Sequence, residues 1–236
     1  MGLWIKRLFV GLLMLVTALA VGGLAYNQFA PIFGGKPDAY SQQKIAASAH
    51  YQDALFVNLI PTEVSTRSDT SLSLWDSLKS FMWPSADKNP TKPLPTVQLN
   101  NQPFVDGSFV WLGHSTVLFS LDGQTLLTDP VFYRASPVPV GGAPFAQTNP
   151  TAISDLPDID AVLISHDHYD HLDYQAIQEL APRVKQFMVP LGIKAHLQRW
   201  GIPDSKIQEF DWFEDANVGS VKITFTPSRH FSGRFV

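Results

Sequence analysis

Ser165 opens the run His166-Asp167-His168-Tyr169-Asp170-His171-Leu172-Asp173, which holds three of the chain's seven histidines. The spacing is H-x-H-x-D-H. Imidazole nitrogen and carboxylate oxygen are ligands for zinc, iron or manganese. The chain has no cysteine, so thiolate ligands, thiol nucleophiles and disulfides are excluded together. On a loop leaving a strand, His166 and His168 can point to one side. Asp170 and His171 then serve a second position at the start of the next helix. That arrangement suits two metals a few Å apart, bridged by a water, with Asp170 in a catalytic role. A polar surface loop is the plainer alternative. Three His, three Asp and one Tyr in eight residues, directly behind an apolar run, argue against it.

Other residues carry two readings each. His114 stands in a turn between two strand-like runs, as a catalytic, substrate-binding or ligand-supporting residue, or as an ordinary loop histidine. Asp129 ends a strand before Pro130. It either orients a ligand histidine through the second ring nitrogen or simply forms the turn. Arg134, Arg229 and Arg234 are candidate phosphate contacts, or solvated or structural arginines. His50 and His196 have no partners nearby in sequence and read as ordinary.

Strands and helices must hold these groups. Residues 109–112 and 116–119 read as strands, and Leu121-Asp122-Gly123-Gln124-Thr125 as a hairpin turn into a strand at 126–128. A Pro/Gly-rich loop covers 131–150, with Phe132, Tyr133 and Phe145 as a candidate apolar wall. Residues 161–164 form a buried strand that delivers the histidine run. A helix over 174–180 comes next, with Asp173 as N-cap and Leu172 with Ile177 as a hydrophobic staple. Further elements are a strand at 187–189, a helix about 193–200 and a strand at 221–225. Strands first, then strands alternating with helices, give an α+β or α/β sheet layer.

Upstream, Lys6-Arg7 precedes a charge-free run from Leu8 to Tyr26, about 28 Å long as a helix. It reads as an uncleaved signal anchor, or as a signal peptide cut after Ala18-Leu19-Ala20. Either one exports the remainder of the chain, because the basic pair stays inside. Residues 27–105 read as a connector with two short helices, near 41–49 and at 73–82. In the second, Leu74, Trp75, Leu78, Phe81 and Met82 share a face, Ser73 and Asp76 cap the start and Pro84 stops it. That face touches lipid or substrate, or packs on the domain. A composition 45% apolar and 12% aromatic supplies a core, and a net charge of −4 excludes a broadly basic nucleic-acid binder.

H-x-H-x-D-H behind an apolar strand resembles the metallo-β-lactamase superfamily. Three further words narrow the resemblance: Trp111-Leu112-Gly113-His114-Ser115-Thr116-Val117-Leu118, Leu127-Thr128-Asp129-Pro130, and Thr226-Pro227-Ser228-Arg229-His230-Phe231-Ser232-Gly233-Arg234. They are similar to the branch of N-acylphosphatidylethanolamine-hydrolysing phospholipase D and its RomA-like bacterial relatives. The likeness runs from about Asn58 to Val236. It implies an α+β fold, the four-layer αββα sandwich. It also implies two zinc ions, with iron or manganese as alternatives. His166, His168 and His230 would bind the first, Asp170 and His171 the second, and Asp129 would support them. Apart from the resemblance, the residues themselves put catalysis on Asp170 and His114, and substrate binding on His114, Arg134 and Arg234.

The family pattern continues past the His230 motif to a bridging Asp and one more His, and this chain stops six residues after His230. The resemblance therefore implies the N-terminal half of a protein of about 350 residues, inactive as it stands. Its parts would be a signal or anchor over 1–26, a connector over 27–105 and a truncated domain over 106–236. The implied activity is zinc-dependent phosphodiester hydrolysis, on phospholipid. Hydrolysis of a lactone or other carbonyl compound, iron-based oxidoreduction and a non-catalytic truncated binding protein are the alternatives. His168 counts against the iron branch, where Glu commonly stands. The expected partners are a phospholipid or other phosphodiester and the membrane, with no nucleic acid, and a homodimer left open. The domain is expected outside the cytoplasm.

Overall fold

In the computed structural model, residues 2–61, 73, 75–76, 79, 82–83, 88–99, 104–138 and 141–234 are described. The architecture is a mixed α+β domain behind a long apolar helix. That helix, α1 (Leu3–Phe29), has 27 residues and is about 40 Å long, enough by length and composition to cross a membrane. A 3-10 turn at Pro31–Phe33 and helix α2 (Ala39–Ala47) come after it. Asp38 caps α2, accepting from Ser41 N at 2.8 Å, so the helix starts before the expected position. A two-residue ladder pairs β1 (Tyr51–Gln52) with β2 (Leu55–Phe56).

The central sheet has six strands in sequence order: β3 (Phe109–Gly113), β4 (Thr116–Leu121), β5 (Gln124–Thr128), β6 (Ile159–Leu163), β7 (Val184–Pro190) and β8 (Ile207–Phe210). The β3–β4 and β4–β5 pairs are antiparallel; β5 through β8 run parallel. Helices α3 (Tyr174–Leu180) and α4 (Lys194–Arg199) make the β6–β7 and β7–β8 crossovers. The hairpin β9 (Asp215–Val218) with β10 (Val221–Thr224) is a separate ladder.

Consecutive residues of the middle strands are buried on opposite faces, which explains their unbroken apolar runs. Leu127, Val162 and Phe187 join the core under α3 and α4, with Ile177, Leu180 and Leu197. Their neighbours Leu126, Ala161 and Met188 face the other way, against Val218 and Val221 of the hairpin. At the antiparallel edge, Phe109 and Trp111 of β3 are exposed.

Some expectations change here. Residues 31–47 are not slack connector: Trp200 Nε1 donates to the Pro31 carbonyl at 2.7 Å and Ser41 Oγ to Glu209 at 2.7 Å. Ser73 and Asp76 do cap each other, since Asp76 N donates to Ser73 Oγ at 3.1 Å and Ser73 N to Asp76 Oδ2 at 3.2 Å. Trp75 and Met82 on that helix are exposed rather than packed on the domain. Leu74, Leu78 and Phe81 lie outside the described residues. Phe132 and Tyr133 pack against the main core instead of forming a free apolar wall, while Phe145 is half exposed.

Candidate metal centre

Parallel strands β5 and β6 end side by side, Thr128 opposite Leu163, and deliver Asp129 next to Ser165. Asp129 is buried, with φ +37°. Its Oδ1 accepts from Ser165 N at 2.7 Å. Its Oδ2 accepts from Ser165 Oγ at 2.7 Å and meets His171 Nδ1 at 2.9 Å. With the proton on Nδ1, the Nε2 lone pair of His171 is left for a ligand role. Asp173 caps α3 as expected, taking Gln175 N at 3.0 Å and Ala176 N at 3.3 Å on Oδ1. Its Oδ2 also accepts from Tyr133 N at 2.8 Å, which fixes the start of the 131–150 loop to the end of the histidine run.

Two adjoining clusters result. In each, one ligand atom per residue lies within 4.8 Å of the others: His166, His168 and His230 in the first, and His114, Asp170 and His171 in the second. In the first, His166 Nε2 and His168 Nδ1 face each other at 3.0 Å. The His230 ring centre is 4.8 Å from that of His166 and 5.1 Å from that of His168. Three nitrogens on one tetrahedral zinc stand roughly 3.3 Å apart, so the cluster is close to ligand spacing. Burial first, then the neighbouring histidines, pull the His166 pKa down to about 4. His168 is lowered too, again chiefly by burial. Neutral imidazoles are the form a metal requires.

In the second cluster, His114 Nε2 lies 3.1 Å from Asp170 Oδ2, and His171 Nε2 lies 3.9 Å from the same oxygen. Burial lowers the His171 pKa, and the hydrogen bond and charge of Asp129 outweigh it, for a net rise. The His114 and Asp170 side chains are 55% and 45% exposed against 16% for His171, so this cluster opens to solvent. The rings of His166 and His171, 4.1 Å apart, join the two clusters. The donor chemistry and spacing suit metal binding by these His and Asp side chains.

All the residues expected as ligands therefore come together, and His114 joins them at Asp170. The arginines do not. The Arg234 side chain is buried, with Nε donating to the Asp167 carbonyl at 2.6 Å, NH1 to the Ile32 carbonyl at 2.6 Å and NH2 to the Leu172 carbonyl. A guanidinium spent on backbone is structural, which corrects its reading as a phosphate contact. Arg134 donates to the Gly141 carbonyl inside its own loop. Arg229 is exposed.

Two residues that sequence reasoning passed over matter here. Asp167 is 7% exposed and accepts from Ser232 Oγ and Gly233 N, both at 2.7 Å. Burial raises its pKa, and hydrogen bonds from His196, Ser232 and Gly233 outweigh that, holding it far below the usual carboxylate range. His196, read as ordinary, faces Asp167 Oδ2 with Nε2 at 3.4 Å. The signal was available in the spacing: in an extended run, the residue between two outward ligands points inward.

Residues 124–236 match the family model described as "Beta-lactamase superfamily domain". An uncharacterized protein of Mycobacterium bovis is 41% identical over 196 residues, covering 80% of this chain and 51% of its own length. The chain thus spans about half the length of its mycobacterial relatives. The N-acyl-phosphatidylethanolamine-hydrolyzing phospholipase D 1 of Caenorhabditis elegans is 38% identical over 135 residues, 52% of this chain and 38% of that protein. Among solved structures, the diiron β-hydroxylase CmlA of Streptomyces venezuelae is 30% identical over 50% of this chain and 23% of its own, with a TM-score of 0.41.

Proposed function

We propose that this chain is a metallo-β-lactamase-superfamily protein, on the match of residues 124–236 to that family model, and that it serves as a metal-dependent phosphodiesterase acting on phospholipid, with zinc as the resident metal. The supporting observation is the pair of adjoining clusters, one of three histidines and one of His114, Asp170 and His171. Similarity to a phospholipase D supports the phosphodiester substrate. Two divalent ions held there would supply Lewis acidity toward a phosphoryl oxygen and lower the pKa of a water.

The chain's own groups then have distinct tasks. His166, His168 and His230 hold one ion, and Asp170 and His171 the other. Asp129 keeps the His171 proton on Nδ1, so its Nε2 stays a ligand. His114 Nε2, against Asp170 and open to solvent, is placed to hand a proton to the leaving alcohol oxygen. Helix α1 would keep the site beside its lipid, with the domain on the exported side.

A second reading, hydrolysis of a lactone or other carbonyl compound, is favoured by one observation. Phe132 and Tyr133 are half-buried against the core, which reduces the apolar wall they offer to acyl chains. The two separate by assay of the zinc-loaded whole protein on a long-chain phospholipid, a water-soluble phosphodiester and a simple lactone. The phospholipid should have the highest kcat/KM, and the half-exposed Phe145, changed to Ala, should affect it most. Preference for the lactone would refute the phosphodiester reading.

A further inference from the structure

Asp167 sits between two histidines of the three-His cluster, and its side chain turns inward, away from them. Its acceptors engage groups far away in sequence. Oδ1 takes Ser232 Oγ and Gly233 N, each at 2.7 Å, and Oδ2 faces His196 Nε2 at 3.4 Å. Its own carbonyl takes Arg234 Nε at 2.6 Å. Three consecutive residues, Ser232 to Arg234, are therefore bound to one residue. His230 lies two positions before Ser232, in a stretch with neither helix nor strand. Regular secondary structure does not place it.

The hub is braced from behind. Gly35 N donates to His196 Nδ1 at 3.0 Å. That assigns the neutral His196 proton to Nε2, directed at Asp167. A Cβ at Gly34 would fall 2.0 Å from His196 Nδ1, and one at Gly35 2.2 Å from the Ala195 carbonyl oxygen, so the strap at 34–35 can lie against α4 only as glycine. Arg234 spans the other side, 4.4 Å above the Tyr169 ring and 5.3 Å from that of Trp200.

We propose that Asp167 is a positioning residue: its carboxylate clamps the segment carrying His230 onto the loop carrying His166 and His168, and so sets the geometry of the three-His cluster. The proposal rests on the reading of that cluster as a metal site. A carboxylate suits the task because one oxygen accepts two donors while the other accepts the imidazole N–H. Asparagine keeps the first half and presents an N–H to the His196 N–H in the second. Alanine keeps neither.

The test uses Co(II) and Zn(II) titrations of the whole protein, with the visible Co(II) bands reporting coordination number. Removing a group that orients metal ligands typically weakens metal binding by about 10–100-fold. Asp167→Ala should show that loss at the three-His cluster, together with weaker bands as four-coordination is lost. Asp167→Asn and Ser232→Ala should each show a smaller loss, which keeps the test valid should the alanine variant fold poorly. Glu209→Gln is the control. Glu209 is another buried carboxylate, accepting Ser41 Oγ and Gly192 N at 2.7 Å each. That variant should lower Tm and leave Co(II) affinity and spectrum unchanged. Parental affinity and bands in all three clamp variants, or an equal loss in Glu209→Gln, would overturn the clamp. A parent protein that takes up no Co(II) or Zn(II) would instead overturn the metal reading itself, and the clamp with it.

Discussion

Replacing Asp129 by Asn changes one oxygen of the candidate centre, the one that meets His171 Nδ1 and also accepts from Ser165 Oγ, whose hydroxyl can turn to accept instead. The new Oδ1 still accepts from Ser165 N, held at 2.7 Å in the parent. The new amide N–H replaces the oxygen that meets His171 Nδ1 at 2.9 Å. Two donors then oppose each other, and the His171 ring must rotate or move its proton to Nε2. Either change removes the lone pair aimed at the Asp170 side. The backbone is no obstacle, because Asn tolerates the φ of +37° found here. The lost hydrogen bond and mismatched donor should cost about 1–3 kcal/mol of stability. Metal affinity at the second cluster should fall by about 10–100-fold, equivalent to about 1.4–2.7 kcal/mol. A chelator-competition titration fitted to two sites measures this. In the metal-free protein, NMR titration should also show the His171 pKa falling, because the bond and charge that raise it are gone. Second-cluster affinity within threefold of the parent, alongside an unchanged His171 titration, would refute the assignment of Asp129 as the group that orients His171.

The depressed His166 pKa of about 4 has a sign that can be worked out for metal-free protein. Between that value and the unfolded value near 6.5, the unfolded chain binds more protons at this position, so stability falls as pH drops through the window. Chemical denaturation of chelated protein from pH 7 to 4 should show the decline, and His166→Gln should flatten it; an unaltered slope in that variant would contradict the cause. For topology, a reporter that works only in an exported compartment should be active when fused after Val105. A signal from a cytoplasm-only reporter at that position would refute the orientation.

The histidine run was legible because its ligands are close in sequence and the strand that delivers them is apolar on both faces. Asp129 was legible as a strand-end acid before proline. The strand β8 was not, because Glu209 interrupts its apolar pattern: it is buried only because Ser41 and Gly192 satisfy its oxygens. Asp167 was counted only as part of a polar cluster, since its partners lie 65 and 66 residues downstream and 29 residues away on α4. Arg234 gave the wrong impression for a related reason. A basic residue near a metal motif suggests an anion, and nothing local reveals that three backbone carbonyls surround it. Phe132 and Tyr133 looked like loop aromatics; the bond from Tyr133 N to Asp173 pulls them inward.

The segment from Thr226 to Gly233 has no regular secondary structure, and most of its residues are exposed. Among the described residues, Asp167 and Arg234 bind its far end, the Asn58 amide lies 3.2 Å from the Ser228 and His230 carbonyls, and Phe231 packs on the His168 ring. Irregular, exposed backbone of this kind opens at lower cost than the central strands of a sheet. An ion seated in the first cluster would then leave in stages, losing His230 while His166 and His168 still grip it. The residence time of the metal would track the opening rate of this one segment, and would be insensitive to changes that alter global stability alone. Metal exchange and unfolding would be separate clocks in the same protein.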